Sequence, residues 1–329
     1  MNNLTISTNH LNVESFFSLK MTSVRPEIFI NTSLYLYLKD LLNQLQYYPS
    51  WKSYKHYINL YENLYKNQET YHLYIYIELF NQYKHLLDDI KYTLHISNNP
   101  LESLTALLTI KNNESDIHHI INTNDIDITN TSYIIDHIKT TNIKYDLIYC
   151  DTFDNENKLD NEITYSKLNL IKILYSLTIQ NKKGTFILKL YDMVRYSTIE
   201  MIYLLSCCYN NITFYKPLIM DVVTSEKYII CQDFKDETID FMKIYINTCD
   251  IIHTNHYIER IFTFDMSYIF IDKVIEINSI LGQIQIESIK NIIHLILSDN
   301  ISKLDSIKLY NHKKCIEWCQ KNNIKSVIY

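Results

Sequence analysis

The chain has 329 residues, of which 47% are hydrophobic and 13% aromatic, enough to bury a sizeable core and to exclude global disorder. A formal net charge of −6, from 31 basic and 37 acidic residues, excludes a general nucleic-acid coat, whose affinity rests on many Lys and Arg contacts to phosphate; a local basic groove remains open. Glycine is scarce, with 2 present where average usage predicts roughly 23; abundant Asn, Ile, Lys and Tyr in its place point to an AT-rich coding sequence.

Residues 1–90 place Leu and Tyr at helical spacings, as at Leu34, Tyr37, Leu38, Leu41, Leu42 and Leu45. That spacing predicts a mostly helical N-terminal region. The first dozen residues are polar and lack the layout of a signal peptide. From Lys91 the texture changes. Short apolar runs at 92–96, 117–121, 145–150, 185–190, 212–215 and 228–231 read as strands. Amphipathic stretches at 100–110, 133–139, 165–180 and 198–209 read as helices. The alternation predicts an α/β domain over 91–235, with a mainly parallel, doubly wound, Rossmann-like sheet. Residues 236–329 return to a helical pattern, apolar over 270–297 but broken by charges. No uncharged apolar run reaches 18 residues, so no membrane span is expected. The 7 cysteines form no Cys-x-x-Cys pair and indicate neither a disulfide framework nor a zinc ribbon. A reducing, cytoplasmic setting is the expectation.

In an open α/β sheet, ligands bind outside the carboxyl ends of the strands. The predicted ends here carry Ser97, Asp151 and Lys189. Lys189 closes the run 185–188, and Glu226 precedes the run 228–231. A Lys and a Glu at the ends of core strands are costly unless they face each other or a site. Two readings stay open from spacing alone: a catalytic crevice, and a buried ion network that supports the sheet. Other groupings read as structural. His312, Cys315 and Cys319 share a helix face with no evident fourth ligand, so a half-buried stripe is expected and no metal. His253 and His256 read as surface residues. Tyr71, Tyr74 and Tyr76 suit either base stacking or core packing.

The segments Gly184-Thr-Phe-Ile-Leu-Lys189-Leu-Tyr-Asp192 and Ser225-Glu226-Lys227-Tyr-Ile-Ile-Cys231 carry a resemblance. They look like the last two motifs of the FtsJ/RrmJ-type RNA 2′-O-ribose methyltransferases, above all the cap-methyltransferase-like members of large DNA viruses. The resemblance covers roughly residues 70–235. It implies a Rossmann-like methyltransferase fold, S-adenosylmethionine as cofactor, and a Lys-Asp-Lys-Glu tetrad. Asp151 matches the Asp, Lys189 the second Lys and Glu226 the Glu. Asn161-Glu162 and Lys216-Pro217 match neighbouring motifs. The cofactor would lie around Ser97, Asn98, Asn99, Pro100, Asp127 and Asp151. The implied partner is RNA, capped mRNA included, or a protein of RNA processing, with no DNA and no membrane. The implied settings are the cytoplasm, a viral factory or a virion.

The departures are equally specific. Where the family has Pro-Gly-Gly-Phe, this chain has Pro100-Leu101-Glu102-Ser103, and a Cβ fills space that glycine leaves to the cofactor. Asn98 and Asn99 tolerate left-handed backbone, so the turn is expected to survive while the pocket narrows. A glycine is also missing before Asp127, in Ile126-Asp127-Ile128-Thr129, and the segment after Asp151 is one residue short. The family's Tyr-Lys-Leu-Trp-Glu helix aligns with Tyr74-Ile75-Tyr76-Ile77-Glu78, which puts Ile75 at the first Lys; Lys66 and Lys84 lie nearby. Without that amine, Asp151 and Glu226 should keep Lys189 protonated. Two functions are therefore expected, in this order. The first is a non-catalytic binding or scaffold subunit in RNA processing. The second is an active cap mRNA 2′-O-methyltransferase using Asp151, Lys189 and Glu226.

Overall fold

The computed structural model describes residues 4–6, 13–64, 68–111, 113, 115–151, 160–235, 239–298 and 301–324. The chain opens with β1 (Leu4–Ile6), α1 (Val13–Phe16) and β2 (Phe17–Thr22), then α2 (Thr32–Gln46), α3 (Trp51–Ile58) and α4 (Gln68–Gln82). Strands and helices then alternate: β3 (Tyr92–Ser97), α5 (Pro100–Ile110), β4 (Ile117–Asn122), α6 (Thr131–Thr141), β5 (Tyr145–Cys150), α7 (Asn161–Ile179), β6 (Gln180–Leu190) and α8 (Tyr196–Cys208). After β7 (Tyr209–Tyr215) and β8 (Lys227–Phe234) come α9 (Phe241–Ile252), β9 (Tyr257–Phe262), α10 (Tyr268–Ser298) and α11 (Ile301–Lys321).

Among the described residues, seven strands form one sheet in the order β1-β7-β8-β6-β5-β3-β4. β3 pairs in parallel with β4 and β5, and β5 with β6; β8 is antiparallel to β6 and β7, and β1 to β7. Helices cover both faces, as the Rossmann-like methyltransferase fold requires. Every strand and helix expected over 91–235 is present. The terminal regions are less purely helical than their periodicity predicts. β1 adds an edge to the main sheet, and β2 pairs with β9 in a separate two-stranded sheet. β1 is 3 residues long, too brief to stand out, and β2 alternates exposed and half-buried residues rather than forming an unbroken apolar run.

Strand periodicity sorts the two cores. Ile148, Cys150, Phe186 and Leu188 face one side and pack with α7, α8 and α9. Leu147, Tyr149, Ile187, Tyr228 and Ile230 face the other, against α4, α5 and α11. Since alternate residues share a face, Asp151 follows Tyr149, Lys189 follows Ile187, and Glu226 precedes Tyr228 on the α4 side. The sheet thus delivers all three ionisable groups to one place.

A Cβ at either glycine would crowd a neighbour. A Cβ on Gly184 would lie 2.1 Å from the Gln180 Nε2 and 2.8 Å from the Asn181 carbonyl oxygen; one on Gly282 would lie 2.8 Å from Leu34 at the contact of α10 with α2. The glycines that remain serve packing. No helix among the described residues is long and apolar enough to cross a membrane.

Candidate active site

At the carboxyl end of β5, the Asp151 side chain is fully buried. Its Oδ2 accepts three phenolic hydroxyls: Tyr149 at 2.6 Å, Tyr228 at 2.8 Å and Tyr76 at 3.1 Å. Its Oδ1 lies 3.5 Å from the Lys189 Nζ. From the opposite face of the sheet, Lys172 of α7 donates to the Asp151 carbonyl at 2.6 Å. Such a carboxylate tolerates burial because its lone pairs are filled. The surrounding rings interlock edge to face, with Tyr76–Tyr149 centroids at 5.2 Å and Phe80–Tyr149 at 5.8 Å. Each such pair adds about 1 kcal/mol beyond area burial.

Lys189 is 5% exposed and ion-paired to Glu226 at 3.0 Å. Burial disfavours its ammonium, but the charges of Asp151 and Glu226 outweigh burial and hold it protonated above the ordinary Lys range. Burial brings Lys172 down to about 8, against the opposing pull of Cys150 and Asp151. The structure therefore brings Asp151, Lys189 and Glu226 together, as their sequence positions suggest.

The fourth group differs from expectation. Ile75 is buried in the core, and Glu78 is a structural anchor. Its carboxylate accepts the Tyr215 hydroxyl, the Leu218 and Ile219 amides and the Trp318 indole N–H at 2.7–3.1 Å. The α4 residues turned toward Asp151 are Tyr76 and, one turn earlier, His72. Burial, with the nearby Lys189 charge, lowers His72 to about 4, so its imidazole is neutral. Lys84 is exposed; Lys66 lies outside the described residues. The i, i+4 spacing of His72 and Tyr76, and the Tyr149-x-Asp151 and Glu226-x-Tyr228 spacings, were the signals for the missing members.

The loop after β3 also differs. Neither Asn98 nor Asn99 adopts left-handed backbone. The turn closes instead by side chains: the Ser97 hydroxyl accepts the Asn99 N–H at 3.1 Å, and Asn124 donates to the Asn98 carbonyl at 2.9 Å. Pro100 starts α5, and Ser103 donates to its carbonyl at 3.0 Å while bonding His95 at 2.8 Å. Burial takes His95 down to about 3, so it holds this turn as a neutral ring. Asp127 is not part of the cluster. It is exposed and accepts both the amide and the hydroxyl of Thr129, at 2.9 and 2.6 Å. The shortened segment after Asp151 falls at 152–159, outside the described residues.

Glu162 is a further buried acid. It accepts the Val194 and Arg195 amides at 3.1 and 3.0 Å, and burial, with Asp192 nearby, raises it to about 7. Cys315 and Cys319 are buried while His312 is exposed, so the three do not converge. No group of three or more His, Cys, Asp or Glu among the described residues is placed to hold a metal.

Residues 104–234 match the family model of FtsJ-like methyltransferases. Over that stretch the chain is similar to FtsJ-like methyltransferases. Two curated relatives agree. The cap-specific mRNA (nucleoside-2′-O-)-methyltransferase 1A of Caenorhabditis briggsae is 34% identical over 85 residues, 26% of this chain and 10% of that protein. The human cap-specific mRNA (nucleoside-2′-O-)-methyltransferase 1 is 31% identical over 84 residues, 25% of this chain and 10% of that protein. The match thus spans about a tenth of the length of these curated relatives. A solved Plasmodium falciparum ribosomal RNA methyltransferase aligns over 52% of this chain and 98% of its own, at 21% identity and a TM-score of 0.37; that score adds nothing to the fold read from strand order. The FtsJ-like match includes Asp151, Lys189 and Glu226 and begins after α4, so His72 and Tyr76 lie outside it.

Proposed function

We propose that this chain is a non-catalytic RNA-binding subunit of an RNA-processing assembly, built on the FtsJ-like fold without its methyl-transfer chemistry. The observation that carries the reading is Lys189, a buried ammonium 3.5 Å from Asp151 and 3.0 Å from Glu226. A ribose hydroxyl is a poor nucleophile and needs a base to take its proton. An ammonium held charged by two carboxylates cannot accept one, and the α4 residues facing it are a neutral His and a Tyr rather than a second amine.

The cofactor loop supports the same reading. S-adenosylmethionine would need close backbone approach at the start of α5. Leu101, 59% exposed, and Glu102 occupy the positions where the family has glycines, and Glu102 adds an acid to the first turn of that helix. The Ser97 hydroxyl accepts the Asn99 amide, and the Asn98 carbonyl accepts the Asn124 side chain. These residues fit the cofactor poorly.

The intact Asp151–Lys189–Glu226 contacts favour a second reading, an active cap mRNA 2′-O-methyltransferase. Calorimetric titration with S-adenosylmethionine separates the two. No heat of binding is expected from the folded protein; micromolar affinity sinks the non-catalytic reading.

A further inference from the structure

Among the described residues the main sheet ends in two free edges, β1 and β4. β1, with 3 residues, is short enough to protect itself. β4 is Ile117-His-His-Ile-Ile-Asn122, and all six of its residues pair with β3 without a bulge. Edge strands are ordinarily blunted by charge, Pro, bulges or brevity, because their unpaired N–H and C=O groups are a template for another strand. β4 has none of these devices: it contains no Lys, Arg, Asp, Glu or Pro. Before it, Lys111 and Asp116 neutralise each other at 3.1 Å. After it, Asp125 accepts the Asn122 amide at 2.7 Å.

The helix beside this edge is apolar as well. In the β3–β4 register Thr93 stands opposite His118 and His95 opposite Ile120. Thr93 bonds His118, and His95 bonds Ser103 of α5, each at 2.8 Å. His118 and Ile120 therefore share the face that α5 covers, where Ile120 is 43% exposed. α4 flanks α5 on its inner side, and Ala106, Leu107 and Ile110 pack with the α4 core. Leu101, Leu104 and Leu108 belong to none of the three cores; the first and last are exposed and Leu104 is half-buried. Spaced i, i+3 and i+7, they form one stripe on the flank away from α4, toward the free edge. Glu102, the single charged residue of α5, lies about 100° or more round the helix axis from each of them.

We propose that β4 pairs with β4 of a second copy of this chain, about a two-fold axis perpendicular to the sheet. Such an axis makes the two strands antiparallel and joins two seven-stranded sheets into one. It also fixes the place of α5, which packs on both β3 and β4. Strands lie about 4.8 Å apart, so a helix seated between β3 and β4 is about one strand spacing from the axis. Its copy is then about 10 Å away, the separation of packed helices, and the two leucine stripes meet. A two-fold sets each patch against itself and like charge against like, a condition that a neutral, apolar seam satisfies. A lone peptide strand would pair with the backbone edge and leave the leucine stripe uncovered; a second copy covers both. Dimerisation by this edge does not depend on RNA binding.

The test is analytical ultracentrifugation of the full chain over a micromolar-to-millimolar dilution series, with hydrogen exchange read at the β4 amides. The wild type should sediment as a reversible dimer, with β4 amides protected in the dimer and exchanging faster on dilution. Ile120→Lys and Leu108→Lys each add a charge at an exposed position, so both should fold; thermal melts check this, and either one alone suffices. Each should weaken the dimer at least about tenfold, because the two-fold doubles the new charge at the seam. Each should also deprotect β4 at concentrations where the wild type is protected. A wild type that stays monomeric throughout the series overturns the proposal, including the case in which another protein protects β4 instead. A dimer whose association and β4 exchange are unchanged in both variants has its interface elsewhere and overturns it too.

Discussion

The Tyr76 hydroxyl donates to the Asp151 carboxylate at 3.1 Å, joining a helix outside the FtsJ-like match to the end of a strand inside it. That bond helps fix Asp151 as a buried acceptor in a network of phenols. Tyr76→Phe removes one hydroxyl and keeps the ring. A hydrogen bond to a charged group contributes about 2 kcal/mol, and urea denaturation should register a loss of that order. An unchanged midpoint would show that Tyr149 and Tyr228 alone satisfy Asp151.

Lys189→Met should be far more costly, because it strands the buried Asp151. Breaking a buried pair by removing one partner costs about 3–5 kcal/mol. The pH dependence has a definite sign. A Lys whose folded pKa is raised contributes stability that is fully present below its unfolded pKa, about 10.4, and lost as pH rises through the higher folded value. The difference between wild type and variant should therefore stay flat from pH 7 to 9. A difference that shrinks over that window contradicts the assignment.

Glu162 predicts the opposite trend at lower pH. Its folded pKa is raised from 4.5 to about 7, so between those values the folded state binds more protons than the unfolded one. Its contribution is present below 4.5 and lost as pH rises to 7. Glu162→Gln cannot titrate. From pH 5 to 7.5 the variant should gain on the wild type by about 2–3 kcal/mol, measured as denaturation free energies across that range. Parallel curves would count against the shift.

Gly184→Ala tests the packing role of a surviving glycine. The added methyl would meet Gln180, which donates to the Tyr145 carbonyl at 2.9 Å, and the Asn181 backbone. Overpacking of this kind costs about 1–3 kcal/mol. A neutral melting temperature would mean that Gln180 swings aside without loss.

Much of this was legible in the sequence, for identifiable reasons. Strands such as β5 and β6 carry unbroken apolar runs bounded by single charges, so both their existence and the residues at their ends could be read. Lys189 and Glu226 stand in family-like frames and meet in space. The α4 contribution was not legible, because Tyr, Ile and Leu crowd every face of that helix. Alignment selected Ile75, which packs in the core, over His72 and Tyr76. β1, at 3 residues, is too short to show a period, whereas the alternation of Phe17-Ser-Leu-Lys-Met-Thr22 in β2 was a strand signal masked by the helical spacing around it. The turn at Asn98–Asn99 survives, as expected, but without left-handed backbone. A local bond from the Asn99 amide to the Ser97 hydroxyl and a bond from Asn124, distant in sequence, close it instead.

The most direct test of the account is methyl transfer from labelled S-adenosylmethionine to capped RNA, comparing the folded wild type with Lys189→Ala. The account predicts incorporation at background in both. Transfer above background in the wild type, abolished by Lys189→Ala, would contradict it and establish Lys189 as a catalytic residue.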